Sequence, residues 1–417
     1  MPKTRSSLRA DQAATPEAQA RELFNACELL AKNHETPKYD EYSDKVTMLV
    51  AQHIKDGQDE ILSLAADMAD KSETANTLAV LIRRIEVLVE TVVIKQGPAG
   101  EPLQGFLFAI PVVLSGLGKL TDGKIKRNTY FKQMTQQLQN CGVLAPGQTL
   151  YLENYLYSST ELAMLTWSDV WGMGKALLRK GDRDASSEEA ESELHQEGED
   201  LAGRTAPAVL RFLVGIVANE SSAPAPFEQP QDDAEAEAWV AKLQDWQDVA
   251  GPLLEKALGR NFKSESAVIA GVGGYFEAFR GGQVSFRELY VRLQIAQVET
   301  SASVSTQDLR TLVAAYVDER ADTLQIVASI SSKKNPELGG LLVCPVFDFE
   351  CHHTALQAVA DSLAGTGMVD ISVYDQLLPV KHCEDCGEPL YLVPMEGQDQ
   401  VGFGHVGASG SAGRMLH

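Results

Sequence analysis

The N-terminal segment from residue 17 to residue 96 carries apolar side chains at helical spacing, and this pattern most constrains the fold. The apolar positions recur every three or four residues in three successive stripes, which begin near Ala20, Val46 and Leu78. No glycine or proline interrupts the third stripe from Thr74 to Gln96, and Gly97-Pro98 stops it. The sequence therefore predicts a helical bundle over residues 17–97.

The apolar pattern changes after residue 104. The segment Phe106–Leu114 is short, apolar and rich in branched and aromatic residues, as expected of a buried strand. A helix over Thr129–Asn140, a strand over Thr149–Tyr157 and a helix holding Trp167 and Trp171 are expected to follow. We interpret residues 104–220 as a first α/β unit with an acidic loop over 181–203.

A second alternating unit is expected over residues 285–400. The predicted elements, in chain order, are strand Leu289–Ile295, helix Thr306–Arg320, strand Thr323–Ser331, strand Leu338–Phe349, helix His353–Ala364 and strand Met368–Tyr374. This βαββαβ order is the ferredoxin-like arrangement. The expected fold class is α+β, with the N-terminal helical bundle followed by one or two ferredoxin-like units.

Two separate segments share the pattern Gly-x-Leu-x-x-x-Pro-Val. They run from Gly105 to Val112 and from Gly339 to Val346, and each precedes a predicted helix and strand. In both segments the proline would bend or end a strand at an edge or a bulge. This shared pattern is consistent with an internal duplication, although a match over eight residues can also arise by chance.

Three further segments are predicted to be linkers or chain termini. Residues 1–16 are polar and are expected to be disordered, and 221–284 combine a proline-bearing linker with a helical segment. Residues 401–417 are rich in glycine, serine and alanine, which predicts a flexible tail.

Cysteine and histidine concentrate near the C-terminus. The chain holds Cys351-His352-His353 and, thirty residues later, His382-Cys383-x-x-Cys386-Gly387. Thiolates and imidazoles at such spacing suit a tetrahedral zinc ion. In a βαββαβ sheet the third and fourth strands end at the same edge, about 10 Å apart with one strand between them. We predict a structural zinc site with Cys383 and Cys386 as the firmest ligands, completed by Cys351 and one of the histidines at 352, 353 and 382.

Other interpretations of this cluster stay open. A single Cys-x-x-Cys is half of a zinc ribbon, so a cysteine pair without metal is about as well supported as a zinc site. A redox pair is less favoured, because Gly387-Glu388-Pro389 does not continue a helix. A catalytic zinc would need an open coordination position and a base such as Glu384 or Asp385.

Composition excludes some function classes. A net charge of −22 repels phosphate backbones and anionic lipid heads, which disfavours general nucleic-acid and membrane-surface binding. The first residues lack the apolar core of a secretory signal, and six cysteines are too few for a disulfide framework. These features predict a protein of the bacterial cytoplasm.

No motif in the sequence identifies a catalysed reaction. The chain has no phosphate-binding lysine motif, no Gly-x-Ser-x-Gly and no His-Glu-x-x-His. We therefore expect a non-enzymatic interaction or assembly protein that binds a protein partner or self-associates as a homo-oligomer. A zinc-dependent enzyme acting at the Cys351–Cys386 edge and a sensor of a small ligand between the β-units are the alternatives.

Overall fold

The computed structural model describes residues 15–33, 36, 38–96, 101–115, 123–125, 129–145, 148–182, 208–219, 226–227, 232–258, 266–320, 323–334, 339–394 and 401–404. Most of residues 1–16, of the acidic segment 181–203 and of the tail 401–417 lie outside these ranges, so the predictions for them concern undescribed residues. The described part is α+β, with a helical N-terminal segment before the strands, as predicted.

The N-terminal segment folds into helices that share one apolar core. They are α1 (Pro16–Lys32), α2 (Tyr39–Lys55), α3 (Asp59–Asp70) and α4 (Thr77–Glu90). Helix α1 begins with the Thr15 hydroxyl accepting the Ala18 N–H and with proline in its first turn. The fully buried Leu23, Val50, Leu62 and Ile85 contribute one side chain per helix to this core. The helical stripes in the sequence are thus the buried faces of the bundle.

The end of the third stripe is a strand and not a helix. Helix α4 stops at Glu90, and Thr91–Gln96 forms strand β1, where a continuous helix to Gln96 was predicted. Thr91, Val92, Val93 and Ile94 are all branched at Cβ, which disfavours helix and favours strand. Val92 remains fully buried, so the apolar pattern is satisfied by either conformation.

Strand β2 (Glu101–Ser115) is the central element of a first antiparallel sheet. The strand order is β1-β2-β4-β3, with β3 at Thr149–Ser158 and β4 at Ala208–Asn219. Short strands β5 (Ser266–Ile269) and β6 (Gly273–Gly274) also pair with β2. The predicted strand over Phe106–Leu114 lies inside β2, and the one over Thr149–Tyr157 inside β3.

Both faces of this first sheet are covered by helices. Leu107, Ala109 and Val113 face the N-terminal helices and α7 (Trp167–Asp182), whereas Phe108 and Ile110 face the opposite layer. That opposite layer is α5 (Thr129–Asn140) and α8 (Asp233–Leu258), and the short α6 (Ser159–Ala163) follows β3. The helical bundle therefore packs on the first sheet and shares its core.

Helix α9 (Tyr275–Ala302) connects the first sheet with a second one. Its residues Leu289 and Leu293 pack into the first core, and Val291 and Ile295 pack into the core of the second sheet. The strand predicted for Leu289–Ile295 was wrong. Alternating apolar residues there serve two cores on different sides of one helix, which imitates the period of a strand.

The second sheet has the order β10-β7-β8-β9. Its strands are β7 (Leu309–Asp318), β8 (Thr323–Ser332), β9 (Gly339–Pro345) and β10 (Asp370–Pro379), and helix α10 (His352–Gly365) precedes β10. Pairing is antiparallel except between β10 and β7, which run parallel. The strands predicted over Thr323–Ser331, Leu338–Phe349 and Met368–Tyr374, and the helix over His353–Ala364, overlap observed elements of the same type.

The helix predicted for Thr306–Arg320 was wrong, because β7 occupies most of it. Leu312, Ala314 and Tyr316 face one core while Val313 and Ala315 face another, so both faces of β7 are buried. A strand covered on both sides loses the alternation that identifies strands. The described elements run helix, three strands, helix, strand, and the ferredoxin-like arrangement is not confirmed.

The two Gly-x-Leu-x-x-x-Pro-Val segments are both strands, but they hold different positions. The first lies in the middle of β2, which has strand partners on both sides, and the second forms β9 at the end of the second sheet's order. Helix α9 approaches Pro111 through Gly282 and Pro345 through Arg287. The segments share a helix as neighbour, while their sheet surroundings differ.

A small C-terminal sheet completes the described chain. It contains β11 (Lys381–His382), β12 (Pro389–Pro394) and β13 (Val401–Gly404) in the order β11-β12-β13. Residues 401–404 were predicted as part of a flexible tail and instead pair with β12. The sequence Val-Gly-Phe-Gly can extend and pair through its backbone, even though its composition resembles a linker. Within the described ranges, no helix is long and apolar enough to cross a membrane.

Candidate metal-binding turn

Cys383 and Cys386 lie in the turn that joins β11 to β12. The Cys383 N–H donates to the Glu388 carbonyl at 2.8 Å, and the Gly387 N–H donates to the Cys383 carbonyl at 2.9 Å. Gly387 has a φ of 74°, in the left-handed region that glycine adopts without steric cost. These bonds close the turn so that both cysteines belong to one compact loop. We call residues 383–388 the cysteine turn.

The two thiols of the cysteine turn contact each other. The backbone of Glu388 hydrogen-bonds the Cys386 thiol, which lowers its pKa, but partial desolvation and a hydrogen bond with the Cys383 thiol outweigh this effect. The net result is that the pKa of Cys386 is raised above its ordinary value. The hydrogen bond between the two thiols lies at the protein surface, where Cys386 is exposed and Cys383 is partly exposed.

The hairpin that carries the cysteine turn is anchored in the protein core. Tyr391 and Leu392 of β12 are buried against Leu312, Ala314 and Tyr316 of the second sheet. The Leu392 N–H donates to the Tyr316 hydroxyl at 2.8 Å, and the Ser329 hydroxyl donates to the Leu392 carbonyl at 2.6 Å. Desolvated, paired polar groups of this kind fix the strand's position. The base of the hairpin is therefore held while the turn projects from it.

Cys351, His352 and His353 lie at the beginning of helix α10. Cys351 is the N-cap residue, and its sulfur lies 3.1 Å from the Thr354 hydroxyl. The Thr354 side chain, followed by the backbone N–H groups of the first turn, lowers the pKa of the Cys351 thiol. The rings of His352 and His353 are 4.0 Å apart between centroids. His353 Nδ1 lies 3.0 Å from a carboxylate oxygen of Asp375 in β10.

The two groups of predicted ligands attach to different faces of the second sheet. Helix α10 packs on the face formed by Val313 and Ala315, whereas β12 packs on the face formed by Leu312 and Tyr316. Strands β9 and β10 do end at the same edge, as predicted, since both run parallel to β7. Two strands lie between them instead of one, which corresponds to about 14 Å at normal strand spacing.

The structure thus brings together Cys383 and Cys386, with His382 adjacent in β11. Among the described residues, no group of three or more histidine, cysteine, aspartate or glutamate side chains is arranged to hold a metal ion. Sequence reasoning missed two neighbours of the predicted ligands, Asp375 beside His353 and Thr354 beside Cys351. Asp375 lies where the register of β10 against β7 shifts, and no sequence pattern signals that shift.

One family model matches almost the whole chain, over residues 8–398, and it is described as a protein of unknown function (DUF2863). The chain belongs to this family. Neither the search of curated proteins nor the search of solved structures found a match.

The chemistry of the cysteine turn follows from its donor set. Two adjacent thiolates are soft ligands that bind zinc near ~2.3 Å and supply half of a tetrahedral shell. Glu384, Asp385 and Glu388 are exposed in the same turn, and their negative charges favour a cation there. The turn can therefore provide two ligands to a divalent ion, while Cys351 and His353 have neighbours of their own.

Proposed function

We propose that the protein is a non-enzymatic interaction and assembly protein whose C-terminal hairpin binds a structural zinc ion through Cys383 and Cys386. The observation that carries this proposal is that backbone hydrogen bonds close residues 383–388 into one turn that holds both cysteines at the surface. Zinc sites with Cys-x-x-Cys pairs are most often structural. In this proposal the other ligands predicted from the sequence, Cys351, His352, His353 and His382, are secondary.

The size of the C-terminal sheet supports a structural role for the metal. Strands β11 and β13 span two and four residues, and β12 spans six. A sheet this small cannot bury much apolar surface, so metal ligation is the usual means of holding it. Tyr391 and Leu392 hold its base. Zinc at the cysteine turn would stabilise the other end.

An exposed row on β10 supports the interaction role. Val373 and Leu377 are 45% and 41% exposed, and β10 ends the order of the second sheet among the described strands. A strand in this position presents backbone groups and apolar side chains to a protein partner. In a cytoplasmic location, which we also propose, the cysteine thiols stay reduced and competent to bind metal.

Metal analysis of the purified full chain tests the proposal. We expect zinc to copurify without added metal, and X-ray absorption at the zinc edge to show sulfur ligands and no bound water. Cys383→Ser should remove the zinc and lower the unfolding temperature. Cys351→Ser, the matched control outside the turn, should keep the zinc and should not lower the unfolding temperature, because serine is a favourable N-cap residue.

Two results would overturn the proposal. Protein purified in reducing buffer without chelators that contains no zinc would leave the cysteine turn without the proposed role. A zinc ion with a coordinated water oxygen would instead identify an open site and favour the zinc-dependent enzyme.

A further inference from the structure

The cysteine turn provides fewer ligands than zinc requires. Structural zinc sites are almost always four-coordinate, and the turn contributes two sulfur atoms. Among the described residues no third histidine, cysteine or acidic side chain joins them in a metal-binding arrangement. A zinc ion held here needs two more ligands of the same soft character.

The ligands at the beginning of α10 are badly placed to supply them. The Cys351 thiol is hydrogen-bonded to the Thr354 hydroxyl, and His353 contacts Asp375. Helix α10, which Cys351 caps, packs on the face of the second sheet opposite to β12. His382 is next in sequence to Cys383, but among the described residues its imidazole does not form a group of three metal ligands with the two thiols. Moving α10 to the turn would break buried contacts of Leu356 and Val359.

A second copy of the chain can supply what is missing. Two identical turns related by a twofold axis through the metal contribute two thiolates each and complete a tetrahedral shell. The turn is suited to this contact because residues 384–388 are all exposed. The anchored base, held by Tyr316 and Ser329, keeps the turn oriented in each copy.

Charge makes this contact depend on the metal. Each turn carries Glu384, Asp385 and Glu388, and each chain has a net charge of −22. Two such surfaces repel each other at close range, more strongly at low salt. The four Zn–S bonds must outweigh this repulsion, because a zinc ion with four thiolates is itself anionic, so the contact should not form without the metal.

We propose that two copies of the chain share one zinc ion, with Cys383 and Cys386 of each copy as the four ligands. This inference rests on the proposed zinc-binding function and specifies its partner. Zinc replaces the proton on each of the four thiols, and the four protons pass to solvent. The product is a homodimer joined at its two cysteine turns.

Zinc content and mass, measured on the same sample, test the proposal. We expect one zinc per two chains, a mass twice the 45.2 kDa of the chain, and four sulfur ligands at about 2.3 Å in X-ray absorption. A zinc chelator should convert the dimer to monomer, and added zinc should restore the dimer. The matched control Cys351→Ser should behave as the wild type in every measurement.

A double variant separates association from folding. Cys383→Ser with Cys386→Ser should give a monomer that binds no zinc and keeps the wild-type far-ultraviolet circular dichroism. Should this variant be misfolded, the chelated wild type provides the same comparison on an unchanged chain. Added cobalt in place of zinc should give the absorption of a tetrathiolate site, and only in the dimer.

The outcomes distinguish this inference from the function on which it rests. One zinc per monomeric chain would overturn the shared site while leaving the structural zinc in place. A dimer that survives chelation would likewise overturn it, because its interface would lie elsewhere. Absence of zinc in every preparation would overturn both proposals.

Discussion

Glu90, the last residue of α4, accepts a hydrogen bond from the backbone N–H of Phe276 in the first turn of α9, at 2.8 Å. The two residues are 186 positions apart in the chain. The carboxylate thereby satisfies an N–H group that has no partner within the helix, and it interacts with the positive end of the helix dipole. This bond ties the N-terminal helices to the helix that connects the two sheets.

The stability of the protein should depend on the protonation of Glu90. Burial, partly offset by the Phe276 N–H and reinforced by Glu86, raises the pKa of Glu90 from 4.5 to about 7. The folded state therefore holds this proton more tightly than the unfolded state. Its contribution to stability is complete below pH 4.5 and is lost as the pH rises through 7.

Glu90→Gln should remove that loss, since the neutral amide can still accept the Phe276 N–H. We expect the variant to exceed the wild type in free energy of unfolding by about 1–3 kcal/mol at pH 8, and to match it near pH 4.5. Denaturant unfolding at several pH values measures this difference. The exposed Glu237 on α8, which is not among the groups that shift the pKa of Glu90, provides the control variant Glu237→Gln. An equal effect of both substitutions would contradict the role of Glu90.

A buried ion pair holds α9 to the loop before α10. The guanidinium of Arg287 binds the Glu350 carboxylate through two nitrogen atoms, and the side chains are 2% and 7% exposed. Glu350→Gln would leave the buried guanidinium charge without its counterion, and we expect it to lower the free energy of unfolding by about 3–5 kcal/mol. Replacing both residues with methionine should cost less than this.

Denaturant unfolding of the single and double variants measures that difference. Lys334→Met provides the control, because Lys334 forms an exposed ion pair with Asp308 and its loss should cost about 0–1 kcal/mol. A double variant as unstable as Glu350→Gln would show that shape, and not charge, determines the stability here.

Two adjacent glycines of α9 should respond oppositely to alanine. A Cβ at Gly282 would lie 2.5 Å from the Pro111 Cβ and 2.9 Å from the Phe212 ring, whereas one at Gly281 would meet nothing within 4 Å. We expect Gly282→Ala to destabilise the protein by about 1–3 kcal/mol through overpacking. Gly281→Ala should stabilise it by about 0.5–1 kcal/mol, because alanine is the better helix former. Thermal unfolding measures both, and a stabilising Gly282→Ala would show that α9 can move away from β2.

The conformation of Gly387 should influence zinc affinity. Its φ of 74° is unfavourable for residues with a Cβ, although a Cβ would meet no atom within 4 Å. Gly387→Ala should therefore act through the backbone alone, at a cost of about 1–2 kcal/mol, which is roughly a tenfold loss of zinc affinity. Asparagine tolerates this conformation better, so Gly387→Asn should lose less. Competition with a chromogenic chelator measures the affinities, and equal values for all three proteins would contradict the prediction.

Local patterns were sufficient wherever one side of an element faces solvent. The stripes of α1, α2 and α4 and the amphipathic α5 follow from spacing, because a single buried face imposes the period of the backbone on the sequence. The strand Phe106–Leu114 is buried on both faces, and it was predicted instead from its short apolar run of branched and aromatic residues. The close spacing of Cys383 and Cys386 likewise predicts their meeting, since a turn of four residues leaves little freedom.

Local residue patterns were enough to predict the α+β class, most element types and the cysteine turn. Tertiary packing set the conformation of Leu289–Ile295 and of β7, since the apolar residues of each segment are divided between two cores and their spacing does not match the element they form. It also decided that α10 and β12 cover different faces of the second sheet, which separates Cys351 from Cys383. The layer that a segment joins depends on its contacts with residues far away in the chain, and the local spacing of apolar residues does not reveal those contacts.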